Sequence, residues 1–172
     1  MKVFGIAGYS GSGKTTLLER MIPVFIVEGL RVSVVKHAHH RFDVDRPGKD
    51  SYRHREAGAA EVLISGGERW VLMNELRGAP EPTLDQLLKK FSPCDIVLVE
   101  GFKSQPFPKL EVHRQAAGKS LLFPDDPDIV AVATDEPLDT ALPQLDVNYP
   151  EAVAVFIMHY FGFRVQETRL LA

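Results

Sequence analysis

Gly8, Gly13, Lys14 and Thr15 fall at the spacing G-x-x-x-x-G-K-T, within the run GIAGYSGSGKTTLLERM that begins at Gly5. The chemistry open to such a run is phosphate binding. Small residues let successive backbone N–H groups curl inward around phosphate oxygens, and a helix that starts there adds the positive end of its dipole. On this reading Gly8, Ser10, Gly11, Ser12 and Gly13 form the cradle. Lys14 reaches the β- and γ-phosphates, the Thr15 hydroxyl joins the shell of a bound Mg2+, and Thr16 contacts the α-phosphate.

A loop of this kind works with a carboxylate from a neighbouring strand, which holds Mg2+ directly or through water. The run DIVLVE offers Glu100 after four apolar residues. Asp95 starts the same run and so belongs at the far edge of the sheet, outside the site. Asp43, Asp45 and Asp50 lie in RFDVDRPGKD, a charged loop able to fold over a γ-phosphate. Asp50 is favoured to share Mg2+ or orient a water, against the plainer reading of a helix N-cap. Lys14, Asp50 and Glu100 are therefore the candidate catalytic residues, and Thr15, Glu100 and Asp50 the candidate Mg2+ ligands.

The stretch KHAHHRFDVDRPGKDSYRHREAGA follows a strand and should emerge at the sheet edge where open α/β sheets bind ligands. His37 and His39 share a face if the strand continues. They lack the partners of a structural zinc site, so polar contact with an anionic ligand or a packed strand end suits them better than a tight metal pair. Arg53, His54 and Arg55 form a basic cluster suited to phosphate, a second anionic substrate, acids on a partner, or simply a solvated helix face. Lys103, shortly after Glu100, joins His37, His39, Arg53 and Arg55 as a candidate contact to an anionic substrate or partner. At the end of VATDE, Asp135 can accept from the N1–H and N2–H2 donors of guanine, a pair adenine does not offer. The small-GTPase signature N-K-x-D is absent, so residue chemistry leaves guanine ahead of adenine by a narrow margin.

The elements that must place these groups follow from pattern. KVFGIAG and DIVLVEGF are strands buried on both faces, and RVSVVKHAH, KLEVHR and DIVAVATD are further strands. KTTLLERMIPVFIVEG is a helix with an apolar stripe of Leu17, Leu18, Met21, Ile22 and Phe25 and a closing Gly29, with Pro23 expected to kink or end it. Asp50 or Ser51 should cap a short helix, and Thr83 should cap TLDQLLKKF. AEVLISGGERWVLMNE reads as a hairpin about Gly66 and Gly67, and Pro150 and Gly162 bracket a last helix. Strand–helix–strand order implies parallel pairing with right-handed crossovers. The expected fold is α/β, a P-loop NTPase-type three-layer sandwich with a mostly parallel central sheet, helices on both faces and a β-hairpin extension.

At 172 residues the chain is expected to form one nucleotide-binding domain over 1–172. A net charge of −3 argues against a broad nucleic-acid or lipid footprint. Cys94 is the single cysteine, so no internal disulfide forms and a reducing cytoplasm fits best. The N-terminal residues lack a signal-peptide pattern, and AVAVFIM is too short to span a bilayer.

Together GYSGSGKTTL, VVKHAHH with PGKDSYRHREAGA, VLVEGFK and PKLEVHR, followed by VATD, resemble the molybdopterin-guanine dinucleotide biosynthesis protein B family, MobB. The resemblance implies a GTP-binding accessory or adapter protein with weak GTPase activity, using GTP and Mg2+. It implies a partner, the molybdopterin guanylyltransferase MobA, which joins GMP to molybdopterin, and it strengthens the preference for guanine. Molybdopterin itself is a further candidate ligand. It also implies a homodimer in which a β-hairpin crosses between subunits, and GGERWVLMN with Trp70 is the candidate contact. Two other readings stand beside it. One is a small-molecule kinase with Arg53 and Arg55 as clamps, weakened because only Arg164 and Arg169 follow Arg114 to build a lid. The other is a structural partner that binds nucleotide without turnover.

Overall fold

The computed structural model describes residues 1–38 and 42–165, so His39 lies outside the described residues. In chain order the elements are β1 (Lys2–Ala7), α1 (Lys14–Val27), β2 (Val32–Lys36), α2 (Asp50–Glu56), β3 (Glu61–Ser65) and β4 (Trp70–Asn74). They continue with α3 (Leu84–Leu88), β5 (Ile96–Glu100), β6 (Lys109–His113), a 3-10 turn at Gln115–Ala117, β7 (Ile129–Thr134), β8 (Gln144–Asp146) and α4 (Pro150–Tyr160). They divide into two compact units: Met1–His37 with Phe91–Ala172, and Ala38–Lys90.

The first unit is built on a six-stranded sheet in the order β2-β5-β1-β6-β7-β8, and every adjacent pair is parallel. The expected parallel α/β sheet is therefore present. β8 was not foreseen: a three-residue edge strand, QLD, carries no run of β-branched residues to mark it. Along each inner strand the side chains alternate between two buried faces. Phe4, Ile6, Ile96, Leu98, Leu110 and Val112 join Leu17, Leu18, Met21 and Phe25 of α1 and Val153, Ala154, Ile157 and Met158 of α4 in one core. Helix α1 continues through Pro23, which sits exposed within it, so of the expected kink or early end the early end does not occur. The helix closes at Gly29, whose φ of 80° lets the Leu30 N–H reach back to the Phe25 carbonyl at 3.0 Å.

The opposite face carries charge. Lys109 is fully buried and donates to Asp126 at 2.9 Å, with Asp128 at 3.5 Å. Glu111 is equally buried and accepts the backbone N–H groups of Leu122 and Phe123 at 2.8 and 2.9 Å. These contacts lay the segment after β6 across that face.

The second unit holds α2, the antiparallel β3–β4 hairpin and α3. The hairpin forms about Gly66 and Gly67, and Thr83 with Gln86 makes a full capping box. Helix α2 departs from expectation. Lys49 holds the cap position without a side-chain bond, and Asp50 is the first helical residue, ion-paired at 3.7 Å with Arg53. Asp50 there complements the helix dipole rather than accepting a capping bond. Arg55 is held by Asp43 at 2.7 Å, Glu75 at 3.0 Å and Asp45 at 3.6 Å. No helix among the described residues is long and apolar enough to cross a membrane.

Candidate functional site

The strand β1 ends at Ala7, and the chain turns through three glycines before α1 begins. Gly8, Gly11 and Gly13 have φ of 142°, 83° and 93°, a region side chains with a Cβ rarely adopt. At Gly8 space is equally restrictive: a Cβ would lie 2.6 Å from the Val112 carbonyl oxygen and 2.7 Å from Ser12 Oγ. Gly8 thus allows the loop to leave β1 pressed against β6. Gly13 caps α1 without a side-chain bond, so the first turn offers its N–H groups to whatever the loop holds.

Four side chains gather beside this turn. Glu100 pairs in register with Ile6 on one side and Lys36 on the other, which places its carboxylate level with the end of β1. Thr15 Oγ1 donates to Glu100 Oε1 at 3.1 Å. Lys36 Nζ lies 3.3 Å from Glu100 Oε2 and 3.5 Å from Thr15 Oγ1. Lys14 Nζ donates to the Tyr9 carbonyl at 2.7 Å, folding its stem over the loop. Burial holds the Lys14 ammonium below the usual lysine range; Glu100 opposes that, and Lys103 and Lys36 add to it. Lys103 Nζ stands over the Tyr9 ring, 4.9 Å from its centre, and the Tyr9 hydroxyl meets Ser120 Oγ at 3.1 Å. Lys14, Lys36 and Lys103 thus stand at the glycine turn beside the Glu100 carboxylate, an excess of positive charge that attracts anions.

The donors present suit Mg2+. The Thr15 hydroxyl and the Glu100 carboxylate are hard oxygen ligands already within hydrogen-bond distance of each other, and Lys36 shows that the pair attracts a cation. Glu100 is followed by Gly101, at φ 105°, and Phe102, at φ 51°. A Cβ on Gly101 would lie 2.6 Å from the His37 Cβ, so this glycine lets β5 turn against the end of β2. The His37 N–H donates to the Glu100 carbonyl at 2.8 Å, and its ring meets that of Phe102 at 4.7 Å. Strand β2 stops at Lys36, so His37 follows the strand rather than lying on its face, and the expected pairing with His39 falls outside the described residues.

Asp135 follows β7 at the same edge of the sheet. Its Oδ1 accepts the Gln115 N–H at 3.1 Å and its Oδ2 lies 3.4 Å from Arg114 Nη1. The Gln115 N–H, and then Arg114, hold this carboxyl below the usual range against the effect of burial. Arg114 also donates to Asn148 Oδ1 at 3.1 Å. Asp95 lies at the opposite edge and accepts the Arg31 N–H at 2.7 Å, as expected of a strand-start acid. Asp50, Arg53 and Arg55 belong to the second unit, in the contacts described above.

Sequence reasoning overlooked Lys36, Tyr9 and Arg114. Lys36 carried a usable signal, as a charged residue closing an apolar strand at the ligand edge. Arg114 carried a similar one, immediately after β6. Tyr9 sat within the loop motif, but a side chain at a variable position of that motif gives no sign of its contacts.

Residues 3–135 match the family described as molybdopterin guanine dinucleotide synthesis protein B, MobB. The chain is 48% identical over 165 residues to the molybdopterin-guanine dinucleotide biosynthesis adapter protein of Haemophilus influenzae, covering 92% of this chain and 90% of that one. It is 40% identical over 163 residues to the protein of the same description in Escherichia coli, covering 92% of each. Among solved structures, the crystal structure of molybdopterin-guanine biosynthesis protein B superposes with a TM-score of 0.74 at 27% identity, over 92% of this chain and 99% of that one. The MobB homologue from Bacillus stearothermophilus gives 0.69 at 28% identity, over 93% and 97%. With residues 3–135 matched and more than nine-tenths of its length aligned to both relatives, the chain belongs to the MobB family.

Proposed function

We propose that this chain is an adapter protein of molybdopterin-guanine dinucleotide biosynthesis that binds GTP with Mg2+, hydrolyses it slowly, and assists the guanylyltransferase MobA in joining GMP to molybdopterin. The description of its Haemophilus and Escherichia relatives as adapters supports the pathway. The single observation that carries the nucleotide is the Lys14, Thr15, Glu100 and Lys36 cluster at the glycine turn.

In this reading the amides of Ser10 to Gly13 and the Lys14 ammonium bind the phosphates, and Thr16 reaches the α-phosphate. Thr15 and Glu100 hold Mg2+, which neutralises charge on the phosphates when bound. For that ion to take its place, the Lys36 ammonium must withdraw from Glu100 and turn toward phosphate. Lys103 adds positive charge at the mouth of the loop. Asp135 reads the base. Asp50 is tested as a further Mg2+ partner by Asp50→Ala. The chain works in the cytoplasm as a homodimer. In support of that assembly, the cross-strand pairs Leu63 with Leu72 and Ile64 with Val71 are exposed, as is Trp70 at 64%. An apolar two-stranded ribbon of this kind needs a covering surface.

The test is a GTP titration with phosphate release measured alongside, with and without molybdopterin and MobA. GTP should bind in a Mg2+-dependent manner and turn over slowly. Lys14→Ala should cost about ten-fold or more in affinity, the value of a charge-assisted hydrogen bond, while the fold persists. Equal GTP affinity in the folded Lys14→Ala variant removes the reading.

A further inference from the structure

Two side-chain acceptors from different loops hold the Arg114 guanidinium. Nη1 lies 3.4 Å from Asp135 Oδ2 and Nη2 lies 3.1 Å from Asn148 Oδ1. Its Nε stands 3.4 Å from where a Cβ on Gly13 would be, so the stem runs beside the cap of α1. A cation gains nothing from a helix N-terminus, where the dipole repels it. Its position is set by the carboxylate and the amide oxygen beyond.

Those acceptors sit where the topology expects a ligand. The connections from β1 lead to one side of the sheet, and β6, β7 and β8 continue on the other, so the switch point falls between β1 and β6. The phosphate turn follows β1, Arg114 follows β6, Asp135 follows β7 and Asn148 follows β8. The N1–C2–N2 edge of guanine is a neutral copy of a guanidinium, with N–H donors on the same three-atom frame. Adenine has no such edge. A pterin ring does, but the neighbouring phosphate turn favours a nucleotide.

We propose that Arg114 is a built-in competitor for the base: its guanidinium occupies Asp135 and Asn148, the acceptors that read the donor edge of guanine, and a guanine nucleotide displaces it. This rests on the nucleotide reading above. It adds Asn148 to the base site and assigns Arg114 the role of raising the threshold for binding. Displacement is feasible because the ion pair is only partly shielded, with 35% and 25% of the two side chains exposed. Asp135 does not depend on Arg114 for its placement, since the Gln115 N–H holds its other oxygen.

The experiment titrates the full chain and its Arg114→Ala variant with GDP, IDP, tripolyphosphate and 6-hydroxymethylpterin. GDP affinity should rise about two- to five-fold in the variant, the worth of an exposed ion pair. IDP, lacking the 2-amino group, should gain less, and tripolyphosphate affinity should not change. In the wild-type protein, the Arg114 Nε–H resonance should move on adding GDP and stay in place with tripolyphosphate, a readout that needs no variant. Unchanged or weaker GDP binding by the folded variant overturns the proposal alone. A parallel loss of tripolyphosphate affinity makes Arg114 a phosphate ligand and overturns it as well. A gain confined to the pterin assigns the acceptors to that ring and overturns the guanine assignment. Wild-type protein that binds tripolyphosphate but no nucleotide removes the nucleotide reading, and the proposal with it.

Discussion

Two glycines of the turn after β1 make an informative comparison, since the same methyl group can be added to each. Gly8 and Gly11 both sit at positive φ, 142° and 83°. An alanine at either position therefore incurs a backbone strain on the order of 1 kcal/mol or somewhat more. They differ in space. A Cβ on Gly11 meets nothing within 4 Å, whereas on Gly8 it lies 2.6 Å from the Val112 carbonyl oxygen and 2.7 Å from Ser12 Oγ. The Val112 oxygen is backbone of a central strand and cannot yield as a side chain can. Overpacking of this kind adds about 1–3 kcal/mol. Gly11→Ala should thus cost about 1 kcal/mol and Gly8→Ala about 2–4 kcal/mol. For a chain of this size each kcal/mol lowers Tm by roughly 2–4 °C, so the two variants should separate clearly in a thermal melt. Gly8→Ala should also lose tripolyphosphate affinity, because relief of the clash moves the loop off β6. Equal melting points for the two variants would refute the argument that Gly8 is required by close approach rather than by φ alone.

Thr15→Ala and Glu100→Ala should each lower Mg2+-dependent GTP hydrolysis more than GTP binding; unchanged phosphate release at saturating GTP shows that the Mg2+ ligands lie elsewhere. The Asp43 carboxyl, bonded first by the Arg55 side chain and then by the Asp45 N–H, should titrate at about 2 instead of 3.8 in a carbon-detected NMR titration. Because that pKa is depressed, its contribution to the second unit is present above the ordinary aspartate range and is lost as pH falls through about 2; a midpoint near 3.8 would mean the Arg55 pair does not persist in solution. Glu111→Gln should destabilise the first unit by about 2–4 kcal/mol in urea, since an amide oxygen replaces one acceptor and an NH2 group then faces a backbone donor. A change below roughly 0.5 kcal/mol would show that the two N–H bonds to Glu111 are not formed.

Much of the first unit was legible because its signals are local. Apolar runs bounded by glycine gave β1 and β5, and the spacing of Gly8, Gly13, Lys14 and Thr15 gave the turn and the start of α1. Glu100 was legible too, since a lone acid closing such a run lies at the ligand edge of a parallel sheet. What failed to show were contacts set by register. Lys36 meets Glu100 only because β2 and β5 pair level with each other, and nothing in either segment states that alignment. The start of α2 was misread for a related reason. Lys49 cannot cap by side chain, so the better capper beside it drew the assignment, while the chain enters the helix one residue earlier.

The segment PKLEVHR reads from sequence as a strand, and the sheet explains why that strand alternates charge with apolar residues. A central parallel strand usually needs apolar residues on both faces. Here Leu110 and Val112 satisfy that on the side of α1 and α4, while Lys109 and Glu111 face the other way, fully buried. Burying two charges is costly unless each is fully paired, and these two are paired with one stretch of chain: Lys109 with Asp126 and Asp128, Glu111 with the amides of Leu122 and Phe123. An apolar strand would hold that stretch anywhere along a greasy face, whereas directional bonds hold it at one place. The place matters because Ser120, two residues before Leu122, meets the Tyr9 hydroxyl of the glycine turn. Arg114 and Gln115, at the start of the same stretch, meet Asp135. The buried charges of β6 therefore set the position both of Ser120 against Tyr9 of the glycine turn and of Arg114 and Gln115 against Asp135, and the strand carries polar residues in its interior because directional bonds fix that segment in place.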